Sequence, residues 1–378
     1  MADVIILSPF DFVIRLCHVG FQEEERVMRS FEYDYLLETP ISHSLLADMR
    51  VIGEFRGRQF LYTEQSPQIL EALRRVAMIQ SAESSNRIEG IEVLPERIGN
   101  LVEKKTRPRD RSEQEVAGYR DVLGSIHVNH KRLPLTNDLI RQWHKTMYHY
   151  TSERAGNWKK KDNAIFEVRP DGKQVVRFQP VAAISVTSFM NKLINLFDHM
   201  VDQKKTDPLL LIASFVLDFE CIHPFTDGNG RLGRLLTQLL LYRCGYEVGR
   251  YISLERVVED SKETYYEALF KSSQGWHEVK HDLRPWWSYF TGMLLAAYNE
   301  FESRVGTIIS AKGAKREMVR RAINHLPQRF TIDDLRRACP GVSYPTLQRV
   351  LTDLKKQKNV ECLGRGPDAE WNIRKRYP

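Results

Sequence analysis

The longest apolar stretches of the chain flank a short polar segment. Residues 209–219 and 235–242 are largely apolar and contain neither proline nor glycine, so each predicts a buried helix. Between them, residues 222–234 read IHPFTDGNGRLGR, in which two glycines flank an asparagine. The pattern predicts a tight turn that joins two core helices, with Gly230 just before the second helix.

Helical periodicity extends over most of the remaining chain. Apolar positions over residues 67–89 predict a helix that ends at Gly90, a suitable C-cap. Thr136 is placed to cap another helix. Residues 254–269 and a segment that begins near Trp286 predict further helices. We therefore expect a mainly α fold.

One segment departs from this helical pattern. Residues 165–168 and 174–178 are strand-like, and residues 169–173 (RPDGK) predict a hairpin turn between them. A lone hairpin buries little apolar surface. Read from the residues alone, it is a decorative surface ribbon, although an exposed strand edge needs a reason.

The C-terminal part has a different organisation and charge. Residues 314–326, 331–338 and 343–358 predict helices, and two strand-like segments follow, an order that resembles a winged helix-turn-helix domain. Residues 314–378 contain 15 Lys and Arg against 7 Asp and Glu, whereas the rest contains 41 against 42. The basic excess favours binding to DNA. Winged helices also bind proteins, so a DNA or a protein partner stays open.

Composition bounds the remaining possibilities. The 378 residues, 42% of them hydrophobic, can form two or three domains. Five cysteines without a C-x-x-C pair predict free thiols in a reducing, cytoplasmic location, with neither a zinc site nor disulfides. No apolar run is long enough to span a bilayer, so we expect no membrane partner. The first 27 residues lack clear periodicity, which raises the hypothesis that translation begins at Met28.

The central polar segment carries the candidate chemistry. His223 has an ordinary pKa suited to proton abstraction near neutral pH, and Asp227 is a hard oxygen ligand suited to Mg²⁺. Arg231 and Arg234 lie three residues apart, on one face of the second helix, where they could bind phosphate. The set predicts phosphoryl or nucleotidyl transfer. The alternative is a capped turn with a core histidine and two surface arginines.

The same residues resemble the Fic (Fic/Doc) family, whose motif is H-x-F-x-[D/E]-G-N-G-R-x-x-R. Every defined position is filled between His223 and Arg234. The resemblance implies transfer of AMP from ATP to a hydroxyl side chain of a target protein, with His223 as base, Asp227 as Mg²⁺ ligand and Arg234 on the terminal phosphate. The residues implied to form the phosphate nest are Gly228, Asn229, Gly230 and Arg231.

A second family pattern lies upstream. Many Fic proteins carry an inhibitory helix with the sequence [S/T]-x-x-x-E-[G/N], and Ser85 to Gly90 fits it. Read from the residues alone, Glu89 is a surface carboxylate beside a helix end. The resemblance instead implies that Glu89 pairs with Arg234 and occupies the place of the terminal phosphate of ATP.

The resemblance also implies how the whole chain is divided into domains. It implies a helical Fic domain over residues 61–300, after an N-terminal segment of residues 1–60. The domain would include an inhibitory helix (about 67–90) and a hairpin flap (about 163–180) that binds the target. Tyr265 and Tyr266 would lie near the adenine, although aromatic residues in a helix are more often core, and a homodimer is allowed. A linker over 301–313 would precede the winged helix-like domain of residues 314–378.

Two hypotheses follow. The first is an AMP-transferring enzyme that Glu89 restrains, with the protein itself as a further candidate target. The second is a DNA-binding regulator whose Fic core binds nucleotide with little transfer activity. The complete motif favours the first hypothesis, and the basic C-terminal part supports the second.

Overall fold

The computed structural model divides the chain into two compact units, within residues 1–60 and 68–298 and within residues 61–67 and 299–378. The structure describes residues 29–32, 35–63, 67–168, 174–309, 316, 319–320, 322–323, 326–339, 342–364 and 369–374. Two predictions lie outside these residues: the start at Met28 has no described chain before it, and the hairpin turn falls on residues 169–173.

Helices make up most of the first unit, as the fold class predicts. Short 3₁₀ turns lie at Arg29–Phe31, Ala183–Ser185 and Val248–Arg250. The α-helices, some of which extend into or past the boundaries of this unit, are α1 (Tyr35–Glu38), α2 (His43–Thr63), α3 (Pro67–Ile88), α4 (Pro95–Val102), α5 (Arg111–Asn129), α6 (Asn137–Met147), α7 (Val186–Gln203), α8 (Pro208–Ile222), α9 (Asn229–Arg243), α10 (Leu254–Asp260), α11 (Lys262–Ser273) and α12 (Arg284–Ile309).

Helices α8 and α9 form the centre of the core. Nearly all residues of both helices are buried, which explains why α8 is apolar on most of its surface, whereas α9 also buries polar residues such as Arg231 and Gln238. Asp207 caps α8 by accepting a hydrogen bond from the amide of Leu209. The indole of Trp286 on α12 donates to the Ala213 carbonyl, and that of Trp287 donates to Ser214. The two predicted core helices are therefore confirmed, and α9 starts one residue before Gly230.

The hairpin forms as predicted. Strands β1 (Ile165–Val168) and β2 (Gln174–Phe178) pair antiparallel, and Phe166 lies opposite Val176. Both of these side chains are more than half exposed, so one face of the ribbon presents apolar groups to solvent.

Two predicted boundaries need correction. The single helix expected over residues 254–269 is two helices, because the chain breaks at Ser261, whose hydroxyl donates to the Val257 carbonyl. The linker expected over residues 301–313 is wrong for residues 301–309, which continue α12. Apolar residues of that segment, such as Phe301 and Val305, are buried along the helix, and burial decides its structure more strongly than local composition does.

The described part of the second unit includes a small sheet and two helices that follow one another in the chain. Strands β3 (Arg329–Phe330), β4 (Val360–Cys362) and β5 (Trp371–Ile373) form an antiparallel sheet in the order β3-β5-β4. Helix α13 (Ile332–Ala338) begins with a capping box between Thr331 and Asp334, and α14 (Tyr344–Lys356) follows. A separate apolar core holds these elements together. The assignment as a winged helix stays a prediction.

Candidate active site

The loop between α8 and α9 bends through two residues with left-handed backbone. His223 has φ +50° and ends α8, and its amide donates to the Phe219 carbonyl at 2.9 Å. Gly228 has φ +80° and precedes α9. A left-handed conformation is costly for a residue with a Cβ atom. The loop therefore holds His223 in a strained conformation at the end of a buried helix.

Asn229 closes this loop on itself. Its side-chain oxygen accepts from the Phe225 amide, and its nitrogen donates to the Phe225 carbonyl, both at 2.9 Å. The Phe225 ring is fully buried and stacks on His144, with ring centroids 3.9 Å apart. The Asn229 side chain is used inside the loop, which leaves its backbone to face the cavity.

His223 is arranged as a neutral base. Burial lowers its pKa from 6.5 to about 4, although the Glu220 carbonyl opposes this effect. Its Nδ1 lies 3.3 Å from that carbonyl oxygen. A proton on Nδ1 donates to the carbonyl, so Nε2 carries the free lone pair.

Asp227 combines exposure with a fixed orientation. Its Oδ2 accepts from the Tyr148 hydroxyl at 2.9 Å, and its Oδ1 accepts from the Gly228 amide at 2.7 Å. Burial opposes ionisation of Asp227, but Arg231 and these hydrogen bonds outweigh it and hold the pKa below 3.8. The described residues contain no cluster of three or more His, Cys, Asp and Glu that could hold a metal. A single hard carboxylate still suits Mg²⁺, which takes further oxygen ligands from phosphates and water.

Arg231 does not reach the cavity, contrary to its prediction as a phosphate ligand. Only 1% of its side chain is exposed. Its guanidinium donates to Glu115 at 2.6 Å, to Asn86 at 3.2 Å and to the Tyr148 hydroxyl at 2.8 Å. The side chain therefore joins α9 to α3, to α5 and to the residue after α6. Both arginines were expected to face a bound phosphate. Of the two, Arg234 lines the cavity and Arg231 does not.

Arg234 lies on the cavity side of α9 and contacts α3. Its guanidinium donates to Glu89 Oε1 at 2.7 Å, to Ser85 Oγ at 2.8 Å and to the Ser85 carbonyl at 2.8 Å. Burial opposes its charge, but the Glu89 carboxylate outweighs this and raises the pKa of Arg234 above its ordinary value. A Cβ atom at Gly230 would lie 2.6 Å from Glu89 Oε1. Glycine at this position thus allows an anionic oxygen to approach the start of α9.

These groups line one cavity of about 470 Å³. That volume is within the range of small-molecule sites in proteins. His223, Asp227, the first turn of α9 and Arg234 meet the hairpin and α11 around it. Tyr265 is buried, whereas Tyr266 is partly exposed and its carbonyl accepts from Arg177 at 2.7 Å. The lining residues that the sequence predicted are Glu89, His223, Asp227, Gly228, Asn229, Gly230, Arg234, Tyr265 and Tyr266.

Several residues of the site escaped prediction from the sequence. Asn86, Glu115 and Tyr148 surround Arg231, and none belongs to a motif that points to it. Lys159 donates to Asn163 at 2.7 Å and to the Ile222 carbonyl at 3.3 Å, which ties the start of the hairpin to the loop. Glu220 lies one helical turn before His223, and this spacing was an available signal.

Comparisons with known proteins agree with this architecture. Residues 134–241 match the model of the Fic/DOC family. The chain is 33% identical over 124 residues to protein adenylyltransferase fic-1 of Caenorhabditis elegans, a match that covers 32% of this chain and 22% of the nematode protein. It is 29% identical over 118 residues to a probable protein adenylyltransferase of Aquifex aeolicus, covering 31% of each protein. The chain thus matches about a fifth of the nematode protein's length.

Solved structures share the fold. A Fic family protein from Desulfovibrio desulfuricans has a TM-score of 0.58 and 24% identity, and the match covers 88% of this chain and 97% of that one. Fic-1 (residues 134–508) from Caenorhabditis elegans has a TM-score of 0.56 and 20% identity, and the match covers 71% of this chain and 74% of that one. In the part of the chain that is described, no helix has the length and apolarity needed to cross a membrane.

Proposed function

Because the chain contains a Fic/DOC family domain, we propose that it transfers AMP from ATP to a hydroxyl side chain of a target protein. The observation that carries the proposal is the cavity in which a neutral histidine, an exposed carboxylate and a buried arginine meet the start of α9. The adenylyltransferase names of the relatives point to the same reaction.

Each residue of the site has a separate role in the proposed reaction. His223 Nε2 takes the proton of the target hydroxyl, and the hydroxyl oxygen attacks the α-phosphorus of ATP. A new phosphorus–oxygen bond forms as the bond to the β-phosphate bridging oxygen breaks, and diphosphate leaves. Arg234 holds the terminal phosphate, and the amides at the start of α9 bind the phosphate oxygens.

Asp227 is the residue that would hold Mg²⁺. The ion, when bound, neutralises charge on the phosphate oxygens. The hydrogen bonds from Tyr148 and Gly228 fix the orientation of the carboxylate, and its exposed edge faces the cavity.

The hairpin is the proposed binding site for the target. A segment that pairs with an exposed strand edge would gain main-chain hydrogen bonds. The exposed Phe166 and Val176 lie opposite each other and offer an apolar contact beside the cavity. The modified residue of the target would then lie near His223.

Glu89 is the proposed restraint on this activity. Its carboxylate occupies one side of the Arg234 guanidinium, which the terminal phosphate of ATP would otherwise bind. Removal of the carboxylate leaves Arg234 free for phosphate. We expect Glu89→Gly to raise AMP transfer and self-modification.

Labelled ATP tests the proposal. Full-length protein is incubated with Mg²⁺ and ATP labelled on either the α- or the γ-phosphate, and label on protein is measured. We expect α-label on Glu89→Gly protein, less on the unaltered protein and none on a Glu89→Gly/His223→Asn double variant. Glu92→Gly, a change at a nearby exposed glutamate, is the matched control and should behave as the unaltered protein. Transfer of γ-label, or equal α-label with and without His223, would contradict the assignment.

A second function rests on a different observation, the basic excess in residues 314–378. Helix α14 buries its apolar face and exposes Gln348, Arg349, Thr352 and Lys356. We propose that this exposed face binds duplex DNA. Full-length Arg349→Glu should lose salt-dependent duplex binding, whereas Arg154→Glu in the first unit should retain it. Equal binding by both variants would favour a protein partner for this unit.

A further inference from the structure

A buried carboxyl group lies beside His223 and has no role in the proposed reaction so far. Glu220 is on α8, three residues before His223, and only 12% of its side chain is exposed. Its Oε2 lies 3.8 Å from His223 Nδ1. Its Oε1 is buried and has no hydrogen-bond partner within the described part of the chain. Such a group is costly to bury.

The neighbouring helix makes room for this carboxyl. A Cβ atom at Gly233 would lie 2.2 Å from Glu220 Oε1. Any larger residue at position 233 would therefore displace the carboxyl away from α9. Gly233 occupies one of the two unspecified positions of the R-x-x-R segment, so the motif itself does not require it. Two separate positions in the chain thus combine to place a carboxyl next to the imidazole.

Charged groups face this pair from each surrounding element. The same cavity as Glu220 is lined by Glu89, one residue after the end of α3, by Arg177 on β2, by Arg234 on α9 and by Tyr265 on α11. Lys159 lies before the hairpin, Asp227 is on the loop, and both act on the charge of His223. Burial raises the pKa of Glu220 from 4.5 to about 7; Arg234 opposes this shift and Glu89 adds to it. Glu220 therefore gains its charge across the neutral range.

We propose that Glu220 is a positioning residue for His223. Its backbone carbonyl and its carboxyl both face Nδ1, which keeps the proton there and Nε2 free as the base. When Nε2 takes the proton of the target hydroxyl, the imidazole becomes a cation, and the Glu220 carboxylate stabilises that cation across 3.8 Å. The first half of this inference, retention of the proton on Nδ1, concerns the protein alone. The second half, stabilisation of the imidazole cation, rests on the proposed AMP transfer.

Nuclear magnetic resonance tests the first half without any activity. The ring nitrogens of the 11 histidines are followed from pH 5 to 9 in full-length protein, and His223→Asn identifies the signal of His223. We expect the chemical shift of the His223 ring nitrogens to show an inflection near pH 7 in the unaltered protein. The Glu220→Gln variant should lack this inflection, and the Glu220→Asp variant should keep part of it. Glu263→Gln, an exposed change on α11, is the matched control and keeps the inflection. An inflection that persists in Glu220→Gln would overturn the proposal.

Kinetics test the second half. In the Glu89→Gly background, we expect Glu220→Gln to lower kcat about tenfold above pH 7 and to leave the KM for ATP unchanged. The rise of kcat between pH 6 and 8 should flatten in that variant. If AMP transfer occurs and its pH profile is unchanged in Glu220→Gln, the positioning role is wrong. If no transfer occurs while the magnetic resonance result holds, the proposed function fails and the placement of Glu220 stands.

Discussion

Two arginines of helix α9 have different surroundings on the two sides of the helix. On the side away from the cavity, buried Glu115 accepts a hydrogen bond from Arg231, and Arg231 also binds Asn86 and Tyr148. On the cavity side, Arg234 binds Glu89 and Ser85, while one oxygen of Glu220 has no partner in the described structure. We call these the anchored side and the cavity side. The anchored side joins neighbouring helices, and the cavity side presents polar groups to the cavity.

The comparison explains why one motif contains two arginines. Both are buried, and they lie three residues apart on the same helix. Arg231 is surrounded by protein groups that hold the loop and its neighbours in place. Arg234 is paired with a carboxylate that is one-third exposed and lines the cavity. A motif records residue types, but only the surroundings separate an arginine that joins helices from one that lines the cavity.

The largest expected effect comes from the anchored side. Arg231→Ala removes the buried partner of Glu115, and the partner that remains among the described residues is the exposed Arg111. Leaving a buried charge without its partner typically costs about 3–5 kcal/mol, so the free energy of unfolding should fall by that amount in urea titrations. The Arg231→Ala/Glu115→Gln double variant should recover part of the loss. A loss below about 1 kcal/mol for the single variant would show that the anchored side contributes little to the fold.

The next largest effect is a pH dependence of the free energy of unfolding, caused by Glu220 on the cavity side. The pKa of Glu220 is 4.5 when unfolded and about 7 when folded, so the folded state binds the proton more tightly. Its contribution to stability is therefore full below pH 4.5 and is lost as the pH rises through 7, by up to about 3 kcal/mol. Unfolding free energies of unaltered protein should fall relative to Glu220→Gln between pH 5 and 8. A constant difference across this range would contradict the burial of an unpaired carboxyl.

Arg234 should affect activity more than stability. In the Glu89→Gly background, Arg234→Ala removes the proposed ligand of the terminal phosphate, and we expect AMP transfer to fall about 100-fold, or about 2.7 kcal/mol. Initial rates of α-label incorporation measure this. Arg243→Ala, at the far end of α9, is the control and should retain activity. If Arg234→Ala unfolds as readily as Arg231→Ala, the two sides do not differ in the way described.

The smallest effect is expected at Ser85. Its hydroxyl accepts from Arg234 Nε, so Ser85→Ala removes one hydrogen bond to a charged group while Glu89 stays in place. We expect a loss of about 2 kcal/mol in stability, together with a several-fold rise in self-modification as Arg234 loosens. Ser84→Ala, on the same buried stretch of α3, has no such contact with Arg234 and tests for a general effect of the substitution. Equal self-modification by both variants would show that Ser85 does not contribute to the restraint on activity.

Local patterns predicted some parts of the molecule well. Helices α8 and α9, the hairpin strands and the Thr136 cap follow from apolar periodicity, turn residues and side-chain oxygens close in sequence. The pairing of Glu89 with Arg234 was implied only by the family resemblance. The contacts of Arg231 were missed because Asn86, Glu115 and Tyr148 come from three distant segments. The break at Ser261 and the continuation of α12 through residues 301–309 depend on packing, which periodicity does not record.

The left-handed backbone of His223 limits which residues its position can tolerate. Glycine and, to a lesser degree, asparagine adopt φ +50° more easily than histidine does. Substitution of His223 by glycine would relieve the backbone strain at this bend, but it would also raise the entropy of the unfolded chain and remove the imidazole contact with the Glu220 carbonyl. The strained backbone of His223 therefore lies at the point where its imidazole lines the cavity, so the bend fixes where the base candidate is presented.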